Sequence, residues 1–191
     1  MRSITNTIIV IAALIMSAIV LTAAVAVNNN NPINHLLPDY HKLSNSDKKQ
    51  IECLAENVYF EAKSEPREGQ VAVAMVTMNR LHAGEFPNSV CGVVQQKTKS
   101  TCQFSWWCED KPKAIATSKA LTNGDNKLYN GVREIAMFVY INYERVTDPS
   151  NGAMFYHADY VNPRWPNMIR TNVIGRHIFY NRKSYEKGEL V

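Results

Sequence analysis

Residues 44–84 read SNSDKKQIECLAENVYFEAKSEPREGQVAVAMVTMNRLHAG and predict two helices joined at a proline. Ser44 is followed three residues later by an acid, which is the arrangement of a helix-capping box. Apolar residues then recur at helical spacing, namely Ile51, Leu54, Ala55, Val58 and Ala62. The helix ends by Ser64, because Pro66 disfavours helical geometry at the residue before it. Glu61 is therefore predicted to lie in the last turn of the first helix.

The second predicted helix begins near Pro66, a residue favoured in a first helical turn, and ends at Gly84. From Val71 to Leu81 this helix is apolar on nearly every side. Such a pattern predicts a helix that is buried all round at the centre of a domain. Glu65 falls in the connection between the two helices.

The remaining chain predicts a domain that is mainly α, and α+β at most. Residues 91–108 carry cysteines and aromatic residues without a regular pattern, which is typical of a loop with short turns. Two further helical patterns cover about 113–121 and 128–144. Residues 151–180 are rich in Gly, Asn, Pro and aromatic residues, and they predict loops with a short strand pair. Residues 44–191 together have the size of one domain.

Residues 1–27 differ in composition from the rest of the chain. Arg2 precedes an apolar run from Ile8 to Val27, and about 20 apolar residues can cross a bilayer as a helix. The same pattern is typical of an export signal, with a small-x-small cleavage site at Ala24–Ala26. The segment is thus a membrane-retained signal anchor or a cleaved signal peptide. Both interpretations place the remainder in the periplasm or cell wall, beyond a flexible tether at 28–43.

Charge and cysteine content limit the possible functions. The formal net charge is +4, but lysines and arginines are scattered, so a nucleic-acid partner is not expected. Four cysteines follow the export segment, namely Cys53, Cys91, Cys102 and Cys108. In an oxidising compartment they predict two disulfides, for which three pairings are possible. The usual spacing of zinc ligands is missing. We therefore expect no metal and no cofactor, and we expect a monomer.

The first candidate for chemistry is Glu61, which follows Tyr59 and Phe60 and precedes Ala62. A carboxyl group in such an apolar setting loses hydration, which raises its pKa and keeps it protonated near neutral pH. A protonated acid is what the cleavage of a glycosidic bond requires. The spacing alone also fits an ordinary solvated carboxylate at a helix end.

Two aromatic segments are candidates for a sugar-binding cleft. The first contains Gln103, Phe104, Ser105, Trp106 and Trp107 between two cysteines. Aromatic faces pack on the apolar faces of sugar rings, while amides and hydroxyls bind sugar hydroxyls. The second consists of residues 151–157 and 174–180 with Trp165, and it includes Tyr156, His157 and His177. The two histidines lack metal-ligand spacing.

Five separated blocks of this sequence, in this order, resemble the SleB-type cell wall hydrolases. The blocks are 53–74, 79–80 with 86–91, 102–106, 151–153 and 174–180. The family includes spore-cortex-lytic enzymes, related bacterial wall hydrolases and phage lysins. The resemblance covers about residues 53–180, which is most of the predicted domain.

The resemblance implies a small single domain similar to lytic transglycosylases, with lysozyme-like character. The first glutamate of the family's E-A-x-x-E motif is the catalytic acid, which is Glu61 here, and Glu65 is a candidate second carboxylate. The family usually has Gly at the position of Ser64, where Gly permits a left-handed turn. The residues expected to bind substrate are Gln103, Phe104, Ser105, Trp106, Tyr156 and His177.

The resemblance also implies the bond that is cut, between N-acetylmuramic acid and N-acetylglucosamine in peptidoglycan glycan strands. One glutamate is enough for a lytic transglycosylase, which uses the 6-hydroxyl of the sugar in place of water. Hydrolysis would need a second carboxylate, about 5–5.5 Å away in a retaining enzyme or 6.5–9.5 Å in an inverting one. The other interpretations are an amidase that cuts the glycan–peptide link and a non-catalytic wall-binding module.

Overall fold

Both helices of the opening stretch are present in the computed structural model, which describes residues 37–99, 101–109 and 127–183. Helix α1 spans Asn45–Ala62 and helix α2 spans Arg67–His82. The two helices pack against each other and form the centre of the domain.

The ends of these helices follow from local capping. Ser44 accepts a hydrogen bond from the backbone N–H of Asp47 at 3.0 Å, which caps the start of α1. Pro66 occupies the N-cap position of α2, and Gly84 follows its end with a φ of 75°. Every residue from Ala72 to Met78 is buried, so the prediction of a helix buried on all sides is confirmed there.

Three further helices are described: α3 (Val90–Val94), α4 (Ser105–Glu109) and α5 (Lys127–Asn142). Helices α1 and α2 both pack against α3 and α5. The region that was predicted as a loop with turns therefore contains two short helices, α3 and most of α4. The helix predicted over 113–121 lies outside the described residues.

The four cysteines form two disulfides, as predicted, and the structure selects one of the three pairings. Cys53 pairs with Cys91, which joins α1 to α3. Cys102 pairs with Cys108, which closes a short loop around the start of α4. The second disulfide brackets the segment in which the sequence places a sugar-binding wall.

The C-terminal region forms a three-stranded antiparallel sheet, so the predicted strand pair is wrong by one strand. The strands are β1 (Phe155–Ala158), β2 (Met168–Ile174) and β3 (His177–Arg182), in the order β1-β3-β2. Buried residues alternate along β3, so one face of the sheet lies inward. We call this the inner face and the opposite side the outer face. The irregular polar and aromatic composition hides this alternation in the sequence.

The compact unit that contains these elements begins at Asp39. Residues Tyr40–Lys42 form a short 3-10 helix, and the Tyr40 hydroxyl donates to Glu52 of α1 at 2.6 Å. The predicted tether over 28–43 therefore extends too far, because its last residues have partners in the domain. None of the described helices is long and apolar enough to cross a membrane, and the predicted membrane segment lies outside the described residues.

Candidate active site

Glu61 lies at the end of α1, where the inner face of the sheet approaches the helix. The Tyr156 hydroxyl of β1 donates to Glu61 Oε2 at 3.1 Å. Among the described residues, no group hydrogen-bonds Glu61 Oε1. Burial raises the pKa of Glu61, and it outweighs the opposing effects of the Tyr156 hydrogen bond and the Arg80 charge. The carboxyl group therefore stays protonated to a higher pH than an exposed glutamate, with one oxygen left available.

Arg80 provides a buried positive charge beside this acid. Its side chain is only 2% exposed, and its Nε donates to the Met154 carbonyl at 2.6 Å. Burial lowers the pKa of Arg80 to about 10, so it remains a cation at neutral pH. Three rings surround its guanidinium at 5.4–5.6 Å from their centroids, namely Phe86, Phe104 and Phe155. This cation is held by packing at a fixed place and can stabilise a nearby carboxylate.

Gln103 connects the disulfide-closed segment to this cation. With its amide oxygen turned toward Arg80, it accepts hydrogen bonds from both terminal guanidinium nitrogens, at 3.2 and 3.3 Å. Phe104 is 4% exposed and belongs to the core, whereas Ser105 is exposed. Two neighbouring positions of one motif therefore differ in what they can offer a ligand.

Trp106 packs against the last two turns of α1. Its ring stacks on Phe60 at a centroid distance of 4.5 Å and an interplanar angle of 18°. Its Nε1 donates to Oδ1 of the buried Asn57 at 3.2 Å, and Asn57 in turn donates to Thr77 of α2. Trp106 is half-buried, so part of the indole is accessible while the rest is held in place.

His177 lies behind Tyr156 on the inner face of the sheet. Its ring is 6% exposed and meets the Tyr156 ring edge-on at 5.1 Å. Burial lowers the pKa of His177, which favours the neutral ring, although the nearby Glu65 and Asp159 charges raise it. A ring with so little exposed surface supports Tyr156 better than it could contact a substrate.

Glu65 has a different environment from Glu61, although both belong to one five-residue motif. Its Oε2 accepts a hydrogen bond from the backbone N–H of Arg176 at 2.9 Å. Arg176 stands in the turn between β2 and β3, next to Gly175, which has a φ of 55°. A Cβ at Gly175 would lie only 1.9 Å from Glu65 Oε2. This hydrogen bond therefore holds the β2–β3 turn against the connection between α1 and α2.

Ser64 does not need the left-handed conformation that its family position suggests. The non-glycine residues with positive φ in the described chain are Asn151 and Asn167. The chain turns at this point through a hydrogen bond from the Glu65 N–H to the Ala62 carbonyl at 3.0 Å. A serine is therefore accommodated without backbone strain.

Two parts of the site were missed by sequence reasoning. Arg80 lies in one of the family blocks without a predicted role; the available signal is an arginine on a helix that is otherwise buried, since a buried charge needs a partner. The second is Asp148, at the start of the turn at 148–152, which accepts from the Gly152 N–H at 2.8 Å and from Asn79 Nδ2 at 2.9 Å. This turn fixes the start of β1, and with it Tyr156.

Cavity size does not identify the site. A cavity of about 700 Å³ lies beside the 148–152 turn and is lined by residues that include Asn79, His82 and Tyr143. Neither Glu61 nor Tyr156 lines it. We assign the candidate site from the chemistry of Glu61, Tyr156 and Arg80, because a general acid needs a shifted pKa and a neighbouring charge more than an enclosed space.

Comparison with known proteins gives consistent matches. Over 141 residues the chain is 36% identical to a spore cortex-lytic enzyme of Bacillus subtilis (strain 168), covering 71% of this chain and 38% of that protein. A spore cortex-lytic enzyme of Halalkalibacterium halodurans is 34% identical over 136 residues, covering 69% and 34% respectively. The chain thus spans little more than a third of the length of these curated relatives.

A solved structure also matches the fold. The catalytic domain of the germination-specific lytic transglycosylase SleB from Bacillus anthracis is 28% identical and has a TM-score of 0.50. The match covers 76% of this chain and all of that one. The helix-rich part of the fold-class prediction, with a small sheet, is confirmed by this similarity.

The family described as Cell Wall Hydrolase matches residues 64–180. The matched segment begins at Ser64, so it includes Glu65, Arg80, Gln103, Tyr156 and His177, and Glu61 stands just before it. Since this segment covers more than half of the chain, and the relatives and the solved structure agree with it, the protein belongs to the SleB-type cell wall hydrolase family.

Proposed function

We propose that this protein cleaves peptidoglycan glycan strands between N-acetylmuramic acid and N-acetylglucosamine as a lytic transglycosylase, with Glu61 as its single acid and base. The observation that carries the proposal is the burial of Glu61 beside Tyr156 and Arg80: burial raises the pKa of the acid, and the two neighbours stabilise its carboxylate form. The solved relative is itself a lytic transglycosylase, which supports the same reaction class.

In the first step the proton of Glu61 moves to the bridging oxygen as the bond from that oxygen to the muramic acid anomeric carbon breaks. Glu61 Oε1 is suited to deliver this proton, because Tyr156 occupies Oε2. The carboxylate that forms is stabilised by the Tyr156 hydroxyl and by the charge of Arg80. Both groups are in place before the reaction, so little reorganisation is needed.

In the second step the Glu61 carboxylate takes the proton of the muramic acid 6-hydroxyl. That oxygen then bonds to the anomeric carbon and closes a 1,6-anhydro ring. No water is consumed, and Glu61 regains its proton for the next cycle. Glu65 has no part in these steps, because its Oε2 is committed to the Arg176 backbone.

Substrate contacts are assigned according to exposure. Ser105 and Gln103 are exposed, and Trp106 presents part of its ring next to the catalytic helix end, so these three bind the glycan. Phe104 and His177 are buried, and they act through neighbours: Phe104 packs on Arg80, and His177 packs on Tyr156.

The cellular setting belongs to the same proposal. The apolar segment at residues 8–27 delivers the domain across the membrane and either anchors it or is removed. A wall-degrading domain must be exported to reach peptidoglycan, and two disulfides fit an oxidising compartment. The domain acts as a monomer.

The test is mass spectrometry of fragments released from purified peptidoglycan by the full chain, beside its Glu61→Gln variant. Anhydro-muramyl ends from the parent, and none from the variant, are the expected result. Ends that carry one additional water would show hydrolysis instead. Free stem peptides would show an amidase, and release by the Glu61→Gln chain would remove Glu61 from the mechanism.

A further inference from the structure

The outer face of the sheet carries an ordered group of aromatic side chains near the β1 edge. Phe155 of β1 pairs with Tyr180 of β3, so their side chains share this face, and His157 lies on it as well. The ring of Trp165, from the β1–β2 connection, packs over them. Its centroid lies 6.1 Å from Phe155, 5.7 Å from His157 and 6.0 Å from Tyr180. We call these four residues the aromatic platform.

The platform is held rigid by its own hydrogen bonds. The rings of His157 and Tyr180 stack at 5.2 Å, and His157 Nε2 lies 3.1 Å from the Tyr180 hydroxyl. His157 Nδ1 lies 2.8 Å from the Ala158 carbonyl oxygen. Both ring nitrogens are therefore occupied within the protein, which leaves His157 a supporting role. Trp165, placed above this base, is still 41% exposed.

The platform contacts the candidate active site through Phe155. Phe155 also contacts Arg80, whose guanidinium carbon lies 5.5 Å from its centroid, and Arg80 acts electrostatically on Glu61. The next residue along β1, Tyr156, is the one that donates to Glu61. One short strand thus carries the acid's partner on its inner face and the platform on its outer face.

Charge also favours a ligand at this place. Arg170 of β2 pairs with Tyr180, so it emerges on the same face, and it is exposed. Within the described part of the chain, no acid lies within ion-pair distance of Arg170. The stem peptides of a peptidoglycan strand carry carboxylates, and an exposed arginine on the face that carries the platform complements such a polymer.

We infer that the aromatic platform binds a sugar ring of the glycan strand outside the cleavage point, with the exposed face of Trp165 as the contact surface. This inference rests on the proposed function for the identity of the polymer. The platform supplies binding affinity that is shared by the bound substrate and the transition state, so its loss weakens binding without slowing the chemical step.

The test separates binding from cleavage by using the Glu61→Gln chain, which holds the strand without cutting it. Binding to purified insoluble peptidoglycan is measured by co-sedimentation with Trp165→Met, which keeps apolar bulk but has no ring, and with Trp165→Phe, which keeps one. We expect about a tenfold weaker affinity for Trp165→Met, the usual effect of losing one stacked ring, and partial recovery for Trp165→Phe.

Tyr160 gives the matched control, because it lies in the same connection and is 76% exposed, and its ring contacts Arg176 and not the platform. Tyr160→Ala should leave affinity unchanged. Equal losses in Tyr160→Ala and Trp165→Met would mean that the whole connection matters, which overturns the platform. Unchanged affinity in Trp165→Met, or no binding by the Glu61→Gln parent, overturns it as well.

The catalytically active chain provides the second measurement. Trp165→Met should raise KM for fragment release about tenfold and leave kcat unchanged, with the same anhydro products as the parent. If the parent releases no fragments while the co-sedimentation pattern holds, the proposed reaction fails and the platform remains. If the parent cleaves and Trp165→Met cleaves with the same KM, the platform fails and the reaction remains.

Discussion

The two glutamates of the E-A-K-S-E motif stand four residues apart and have different environments. Glu61 lies in the last turn of α1, and its hydrogen-bonding partner comes from the inner face of a distant strand. Glu65 follows the helix end, and its carboxylate accepts from a backbone N–H in the β2–β3 turn. Burial raises the pKa of Glu61, whereas the Glu65 carboxylate holds the β2–β3 turn in place through its hydrogen bond.

The difference shows that two carboxyl groups of one motif can have unlike environments, which their positions in the motif do not reveal. Glu61 has an oxygen without a described partner and two neighbours that stabilise its charged form. Glu65 is committed to the turn, and Gly175 leaves the space that its oxygen fills. In the proposed mechanism Glu65 therefore holds the turn in place and does not act as the second carboxylate.

Replacing Glu61 and Glu65 in turn with glutamine tests this comparison, and the Glu61 replacement has the largest expected effect on the rate. Glu61→Gln should lower the rate of fragment release by about 10³-fold or more, because the amide can neither donate nor take up the proton. Glu65→Gln keeps an oxygen that can accept from the Arg176 N–H, so its rate should fall less than about tenfold. Rates of muropeptide release for both chains decide this. Equal losses would show that the two carboxylates work together.

Gly175→Ala should produce the next largest effect, on stability. The added Cβ meets Glu65 Oε2, and the φ of 55° disfavours any side chain, so we expect a loss of about 3 kcal/mol in the free energy of unfolding. Gly131→Ala in α5 is the control, because a Cβ there meets nothing within 4 Å and alanine favours a helix.

Urea unfolding measures both glycine variants, together with Gly175→Ala combined with Glu65→Ala. Removing the Glu65 carboxylate takes away the contact at 1.9 Å but leaves the unfavourable φ and the Pro66 Cδ at 3.0 Å. The double variant should therefore lose less stability than the sum of the two single losses. Strictly additive losses of stability would show that the Glu65 carboxylate does not contact the side chain introduced at position 175.

Tyr156→Phe tests the environment of Glu61 through the pH dependence of the rate. The Tyr156 hydrogen bond lowers the pKa of Glu61, so its removal raises that pKa further. In the proposed mechanism activity needs protonated Glu61 and is lost as pH rises through this pKa, so the alkaline decline should move to higher pH. The rate at the optimum should fall by about tenfold, because the carboxylate formed in the first step loses a donor. A pH–rate profile that declines at the parent's pH would contradict the assignment.

Ser64→Gly should have the smallest effect. Ser64 has an ordinary backbone conformation, so glycine relieves no strain and only adds freedom to the unfolded chain. We expect a loss of less than about 1 kcal/mol in the free energy of unfolding and an unchanged rate. A clear gain in stability, measured by urea unfolding, would show that the serine is strained after all.

Local signals account for the parts of the fold that the sequence predicts well. The capping serine, the proline between the helices and Gly84 act within a few residues, so the ends of α1 and α2 can be read from the chain. The sheet was underestimated, because β1 and β2 each pair with β3 and an edge strand of four residues has little pattern of its own. Its existence depends on partners that are distant in sequence.

For the candidate site, too, the sequence predicts some features and the packing of the chain decides the others. The motif and the apolar neighbours of Glu61 pointed to the acid, and the resemblance pointed to the family. Exposure separated the substrate-binding candidates: Ser105 is accessible, whereas Phe104 and His177 are not. Which side of a residue faces solvent depends on how helices and sheet pack, and no spacing rule gives this for an irregular segment.

The sequence by itself determined two helices that meet at a proline, an acid in the last turn of the first helix, and membership of a wall-hydrolase family, because these follow from short-range backbone preferences and from motifs. Only the tertiary structure decided that Arg80 and Tyr156 stand beside Glu61, that Cys102 pairs with Cys108, and that Glu65 binds the β2–β3 turn. Charge stabilisation and burial act through space, so the chemistry of the two glutamates is set only when segments far apart in the chain pack together.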